Sequence, residues 1–188
     1  MTPGASLQGS TCAFRVWAPR ATEVVVELEG EPARRRPMSA AADGYHSVEI
    51  EGVRAGQRYR FLVDGKALPD PCSRFQPEGP HGPSQVVDRL AYQWRDENWG
   101  GIGLEGLVLY ELHVGTFTPE GTFVAAASKL AHLRALGVTV VEVMPVAECP
   151  GRFNWGYDGV NWFAPSHHYG PYDAFKAFVD AAHAEASA

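Results

Sequence analysis

The 188-residue chain sets 16 Lys and Arg against 22 Asp and Glu, a net charge of −6, which excludes nucleic-acid binding driven by overall charge because phosphate binders carry a basic excess or stripe. Hydrophobic residues make up 45% and charged residues 20%, a globular composition with enough apolar material for one good core or two small ones, so extensive disorder is excluded. No stretch approaches the roughly 18 uninterrupted apolar residues of a membrane helix, and Met1 to Ser10 has neither the basic flank nor the apolar segment of a leader; no membrane partner and a cytoplasmic location are expected.

The first half alternates in period two between turn residues, the pattern of short antiparallel strands. A flexible tail is expected over residues 1–9. Phe14 and Val16 then alternate with Arg15, Val24 to Leu28 follows, and Val48 and Ile50 alternate with Glu49. Trp17 falls in a strand and is expected in the core. Arg34-Arg35-Arg36 reads as a solvated charge run in a turn. Tyr59, Phe61 and Val63 form one more strand, and Asp64-Gly65 supplies the positive-φ turn of a tight hairpin. A Pro- and Gly-rich run, Leu68 to Pro83, leads to a last strand over Ser84 to Asp88. The expectation is a β-sandwich over residues 10–92 and a linker over 93–105, where Trp94, Trp99 and several glycines show no period.

From residue 106 the pattern changes. Leu107 to Leu112 is a mostly apolar strand; Thr122 can cap a helix whose apolar residues Phe123, Ala127, Leu130, Leu133 and Leu136 recur at helical spacing. Gly137 ends it as a C′ residue. Val138 to Val146 is the β-branched run of a parallel strand buried on both faces, and after a long loop, Ala147 to Gly170, a second amphipathic helix is built on Tyr172, Phe175, Phe178, Val179 and Ala182. The order β-α-β-loop-α is the repeat of a right-handed parallel α/β fold. A (β/α)8 barrel needs about 250 residues, and the last helix runs into Ala186-Ser187-Ala188 with no third strand. The chain is therefore expected to be the front of a longer protein, holding about two βα units over residues 106–188.

Chemistry should lie in the loop after the second parallel strand, since such folds place their sites there. Glu148 to Trp162 concentrates Phe153, Trp155, Tyr157 and Trp162 with Asp158 and Asn154, and sugar rings present apolar CH faces to aromatic rings and hydroxyls to Asp or Asn. Packing of the long loop is the competing explanation of the same residues. His167-His168 is a weak metal pair, because neighbouring residues on an extended backbone point to different faces and no third ligand is suitably spaced. His113 could reach the site or be a hydrogen-bonded core histidine. Cys12, Cys72 and Cys149 are odd in number and lack CxxC spacing, so neither a disulfide framework nor a zinc site is suggested; no metal and no cofactor are expected.

Tyr110-Glu111-Leu112-His113-Val114-Gly115-Thr116-Phe117 resembles the first barrel strand of the α-amylase superfamily of glycoside hydrolases. Leu136 through Pro145 to Glu148, with Trp155-Gly156-Tyr157-Asp158-Gly159-Val160, resembles its second strand and loop. Trp17-Ala18-Pro19 and Gly56-Gln57-Arg58-Tyr59-Arg60-Phe61 are similar to the N-terminal sandwich of its glycogen- and trehalose-related branch. Within that branch, Asp70-Pro71, Ser73 to Gly79 and His81 to Asp88 resemble the malto-oligosyltrehalose trehalohydrolase family.

The resemblance implies a multidomain fold, an immunoglobulin-like β-sandwich followed by the start of a TIM-type (β/α)8 barrel. It also implies an enzyme that hydrolyses the α-1,4 bond next to the trehalose end of malto-oligosyltrehalose, with that compound or a malto-oligosaccharide as partner. Its nucleophile and acid/base follow the fourth and fifth barrel strands, so no catalytic residue is expected in these 188 residues, and the fragment alone should be inactive. Glu111, Glu142, Glu148 and Asp158 are assigned none of the chemistry. Tyr157 carries over as the ring stacking under the sugar, with Trp155 and Asp158 as neighbouring substrate-binding candidates. Glycogen branching enzyme is the competing resemblance, although its loop usually carries Gln where this chain has Asp158; a stand-alone glucan-binding module is a further alternative, despite the lack of a Trp pair between Val24 and Tyr45.

Overall fold

The computed structural model of the chain describes residues 2–186, the side chain of Ala186 excepted. Met1, Ser187 and Ala188 lie outside the described residues, and with them the end of the chain on which the expectation of an interrupted helix rests.

Among the described residues, nine strands occupy the first half: β1 (Gly4–Gln8), β2 (Thr11–Trp17), β3 (Val24–Leu28), β4 (Arg34–Pro37), β5 (Ser39–Ala40), β6 (Tyr45–Glu51), β7 (Arg58–Val63), β8 (Lys66–Leu68) and β9 (Ser84–Gln85). They form two sheets, β1-β2-β6-β5 and β4-β3-β7-β8, with β9 added to β7. Every pairing is antiparallel. Alternation explains the core between them: Cys12, Phe14 and Val16 of β2 meet Val24, Val26 and Leu28 of β3 and Tyr59 and Phe61 of β7. Phe14 and Tyr59 touch edge to face at 4.9 Å, and Tyr59 and Phe61 at 5.8 Å; such pairs add about 0.5–1.5 kcal/mol each beyond the area they bury. Asp64 and Gly65 both have positive φ, as the two-residue hairpin joining β7 to β8 requires.

Four expectations are corrected here. Residues 4–8 are no tail: Ala5 and Leu7 lie opposite Phe14 and Cys12 across a two-residue turn at Gly9-Ser10 and pack on the core. Trp17 is 61% exposed, because the parity that turns Cys12, Phe14 and Val16 inward turns residue 17 outward. Arg34 to Arg36 form an edge strand on β3 instead of a turn, with Arg35 Nε 2.6 Å from Glu27 Oε2; Arg35 and Arg36 are exposed as expected while Arg34 is half-buried, and charge on an edge strand discourages pairing with other chains. The strand expected over Ser84 to Asp88 stops at Gln85, although Val86 and Val87 are buried.

The second half contains β10 (Leu109–Leu112), α1 (Val114–Phe117), α2 (Phe123–Ala127), α3 (Leu130–Ala135), β11 (Val140–Val143), β12 (Ala147–Glu148), β13 (Asn161–Pro165), a 3₁₀ turn (His167–Tyr169) and α4 (Ala174–Ala186). Strands β10 and β11 are parallel, Leu109 opposite Val140 and Leu112 opposite Val143. A second core joins them to α2, α3 and α4 through Leu112, Val114, Phe123, Leu130, Leu133, Tyr169 and Phe178. Thr122 caps α2 as expected, its Oγ1 accepting from the Ala125 amide at 3.2 Å. Gly137 closes α3 with φ +90°, the Gly137 amide bonding Arg134 O and the Val138 amide bonding Leu133 O, the paired bonds of a Schellman stop.

The helix expected over 123–136 is two short helices. Ser128 Oγ donates to Ala125 O at 2.6 Å and competes with the helical ladder at the break. Leu136 is exposed at the end of α3. The apolar run Val138 to Val146 forms a strand only over 140–143, half-buried instead of covered on both faces, since β10 is its one sheet partner among the described residues. The long loop contains the β12–β13 hairpin and the 3₁₀ turn.

Candidate functional site

Residues 149–160 project from the β12–β13 hairpin, on the C-terminal side of β11. The base of the loop is fixed by Glu148, which is fully buried. Its Oε1 accepts from the Cys149 amide at 3.0 Å, and its Oε2 accepts from both the His167 amide and His167 Nδ1 at 2.8 Å. A carboxylate with three short donors ties residue 148 to residue 167 across the hairpin, and the Val160 amide bonds Glu148 O at 2.8 Å.

Asn154 organises the rising limb. Its Nδ2 donates to Ala147 O at 3.1 Å and Pro145 O at 3.4 Å, and its Oδ1 accepts from the Gly156 amide at 3.0 Å. Its carbonyl accepts from His113 Nε2, and the Tyr169 hydroxyl lies 3.5 Å from the same nitrogen. Of the two roles open to His113, the structure shows the hydrogen-bonded one, linking the end of β10 to the loop. Gly156 has φ +88°, a backbone conformation that favours glycine over residues with a Cβ, and the loop crosses the flexible end of Met144 there.

This scaffold leaves its aromatic rings in solvent. Tyr157 and Trp155 are each 80% exposed, and Phe153, Trp162 and Phe163 are also exposed. Asp158 is exposed, its Oδ2 3.4 Å from the Trp155 amide, a contact that steadies the tip. The three sequence-expected residues Tyr157, Trp155 and Asp158 therefore share one exposed tip, and no packing among the described residues covers the two rings. Sequence reasoning missed Glu148 as the hairpin's anchor and Trp162 as an exposed ring on an ordered strand. The single legible hint of the first was a carboxylate inside an apolar run.

Burial raises the Cys149 thiol, with the Glu148 charge adding to it, and pushes the Tyr169 hydroxyl up to about 12. His168 is held below the usual histidine range by burial and by His167 beside it. The two histidines are not on extended backbone, as the sequence suggested: the 3₁₀ turn brings their rings to 3.9 Å. Among the described residues, no group of three or more His, Cys, Asp or Glu side chains is arranged to hold a metal ion. Glu111 and Glu142 are register partners in mid-strand, both exposed, away from the loop.

Residues 3–84 match the family model of carbohydrate-binding module 48, the isoamylase N-terminal domain. Over 93% of its length the chain is 45% identical to a malto-oligosyltrehalose trehalohydrolase of Deinococcus radiodurans, covering 28% of that protein. Over 91% it is 47% identical to one from Rhizobium sp. strain M-11, covering 30%. A 1,4-alpha-glucan branching enzyme of Burkholderia lata is 36% identical over 91% of the chain. The crystal structure of a candidate alpha-amylase from Salmonella typhimurium superposes with a TM-score of 0.93 at 46% identity, covering 98% of this chain and 32% of that one. The chain thus spans less than a third of the length of these trehalohydrolases.

Proposed function

We propose that this chain is the amino-terminal portion of a glycoside hydrolase that cleaves the α-1,4 bond next to the trehalose end of malto-oligosyltrehalose and releases trehalose. The observation that carries the reading is the exposed tip Trp155-Gly156-Tyr157-Asp158, held by Glu148 and Asn154 beyond a parallel strand, in a chain similar to trehalohydrolases over nine-tenths of its length. In this reading residues 10–92, joined by β1, are the sandwich, 93–105 connect it, and 106–188 are the first two βα units of a (β/α)8 barrel. Three free thiols support a reducing, cytoplasmic location.

Tyr157 offers its ring face to the apolar side of a glucose unit, Trp155 extends that surface, and Asp158 accepts from sugar hydroxyls. Retaining hydrolysis needs two carboxyl groups about 5 Å apart, one as nucleophile and one as acid then base. Buried Glu148 is committed to three donors, and the exposed Glu111 and Glu142 lie mid-strand; the resemblance to the α-amylase superfamily assigns the chemistry to none of these or Asp158, but to carboxylates after the fourth and fifth barrel strands. Binding without those groups leaves the barrier in place.

The test is a chimera in which this chain replaces the matching segment of the Deinococcus radiodurans relative. Release of trehalose from malto-oligosyltrehalose by the chimera, its loss by about 10²-fold in kcat/KM on Tyr157→Ala, and no release by the 188 residues alone are the expected results. The branching-enzyme relative favours a second reading, a glucanotransferase; a chimera that branches amylose and releases no trehalose would establish it.

A further inference from the structure

The loop that joins β8 to β9 is held by buried side chains and internal hydrogen bonds. Ser73, Phe75 and Gln76 are buried; Ser73 Oγ donates to Phe75 O at 2.9 Å, and Gln76 Nε2 reaches Gly79 O and Gly82 O. Its root is fixed by Asp70, which accepts from the Tyr59 hydroxyl and the Cys72 amide. This loop leans on the segment that bears the aromatic tip. The Phe75 ring meets Tyr172 edge to face at 6.5 Å, and the Arg74 guanidinium lies 5.2 Å over Phe163 of β13. A Cβ placed on Gly79 would be 3.7 Å from His167 Cε1, and His167 is the residue that Glu148 holds.

A second attachment meets the first. Tyr92 donates to Asp180 at 2.6 Å, and the Arg95 amide bonds the same carboxylate at 3.1 Å. Asp96 pairs with His183 Nδ1 at 2.7 Å, and Trp99 stacks on that imidazole at 3.6 Å. Between the two attachments stands Lys176, whose ammonium is 4.6 Å from the Tyr172 ring centre, 5.4 Å from that of Tyr92 and 3.1 Å from Asp173 Oδ1. The Lys176 ammonium is buried, and a desolvated cation shared between two rings is attracted to both.

We propose that Phe75, Tyr172, Lys176 and Tyr92 form a clasp between the sandwich and α4, and that the clasp, with Arg74 on Phe163, positions the β12–β13 hairpin and hence the aromatic tip. These are positioning residues, and the sandwich acts as a buttress of the loop. That the loop positioned is a sugar platform rests on the reading given above; the clasp itself is tested without sugar.

Amide hydrogen exchange of the full 188-residue chain distinguishes the outcomes. Phe75→Ala and Lys176→Met should each accelerate exchange of the Val160, Ser166 and His167 amides by about tenfold while β3, β6 and β7 keep their protection. Lys176→Arg keeps a cation between the rings and should restore the wild-type rates, which a purely space-filling role would not require. Unchanged exchange at 160–167 in both disruptive variants, or an Arg variant as fast as the Met variant, overturns the proposal. If Phe75→Ala loses protection throughout the sandwich, Lys176→Met, which lies outside it, decides.

Discussion

Replacing Tyr59 by Phe removes one oxygen from a buried polar contact of the sandwich. Tyr59 is 1% exposed, and its hydroxyl donates to Asp70 Oδ2 at 2.6 Å; Asp70 is fully buried and also accepts from the Cys72 amide at 2.8 Å. Burial pushes the Asp70 carboxyl from 3.8 up to about 6, even though the Tyr59 hydroxyl, the Cys72 amide and the Arg74 charge pull it down. A carboxyl raised in the folded state contributes stability that is fully present below its unfolded value of 3.8 and is lost as pH rises through about 6, a change of about 3 kcal/mol. The Tyr59 hydroxyl opposes that loss by favouring the ionised form. The ring packing against Phe14 and Phe61 survives the substitution, so its cost is the hydrogen bond: about 1 kcal/mol at pH 4.5, where Asp70 is neutral, and about 2–3 kcal/mol at pH 7.5, where a buried carboxylate loses a donor. Urea unfolding of wild type and variant, followed by circular dichroism at both pH values, measures the two differences with all other titrations cancelling. A cost below about 0.5 kcal/mol at pH 7.5, or one equal at the two pH values, would refute the assignment of Asp70 as a buried, hydroxyl-supported carboxylate.

Thr122→Ala should cost about 1 kcal/mol in the same assay, and Thr122→Ser much less, because the cap on the Ala125 amide is a hydroxyl contact. Gly137→Ala, at φ +90° with no atom within 4 Å of the added Cβ, should cost about 1 kcal/mol through backbone strain alone, with Gly137→Asn costing less. Tyr157→Ala should shift the unfolding free energy by less than about 0.5 kcal/mol, as expected of a ring in solvent. Titration of maltohexaose into the 188-residue chain, read by calorimetry, should show no saturation below several millimolar, since one ring adds about 1 kcal/mol beyond area burial and even millimolar affinity needs about 4 kcal/mol. Saturation at tens of micromolar that survives Tyr157→Ala would instead favour a glucan-binding sandwich.

Local sequence was sufficient wherever a structure is decided by neighbours a few residues away. Alternation of Phe14 with Val16 and of Tyr59 with Phe61, the Asp64-Gly65 turn, the Thr122 cap and the Gly137 stop each depend on period or on backbone conformation within one turn, and each stands in the structure where the sequence places it. The exposed cluster of Trp155, Tyr157 and Asp158 was legible as a concentration of ring and carboxylate in one loop. Tertiary structure decided what depends on distant partners. Trp17 is the exception: its outward face follows from the alternation of Phe14, Arg15 and Val16 beside it, against the expectation of a core residue. Residues 4–8 are a strand because β2 is there to pair with them. Glu148 is an anchor because residue 167 returns to it, and Phe75 is a contact of Tyr172 because two segments almost a hundred positions apart are packed together. Period and turn chemistry fix which residues can share a face. Which face is covered, and by what, is set by the free energy of bringing remote segments together, and that appears only in the folded chain.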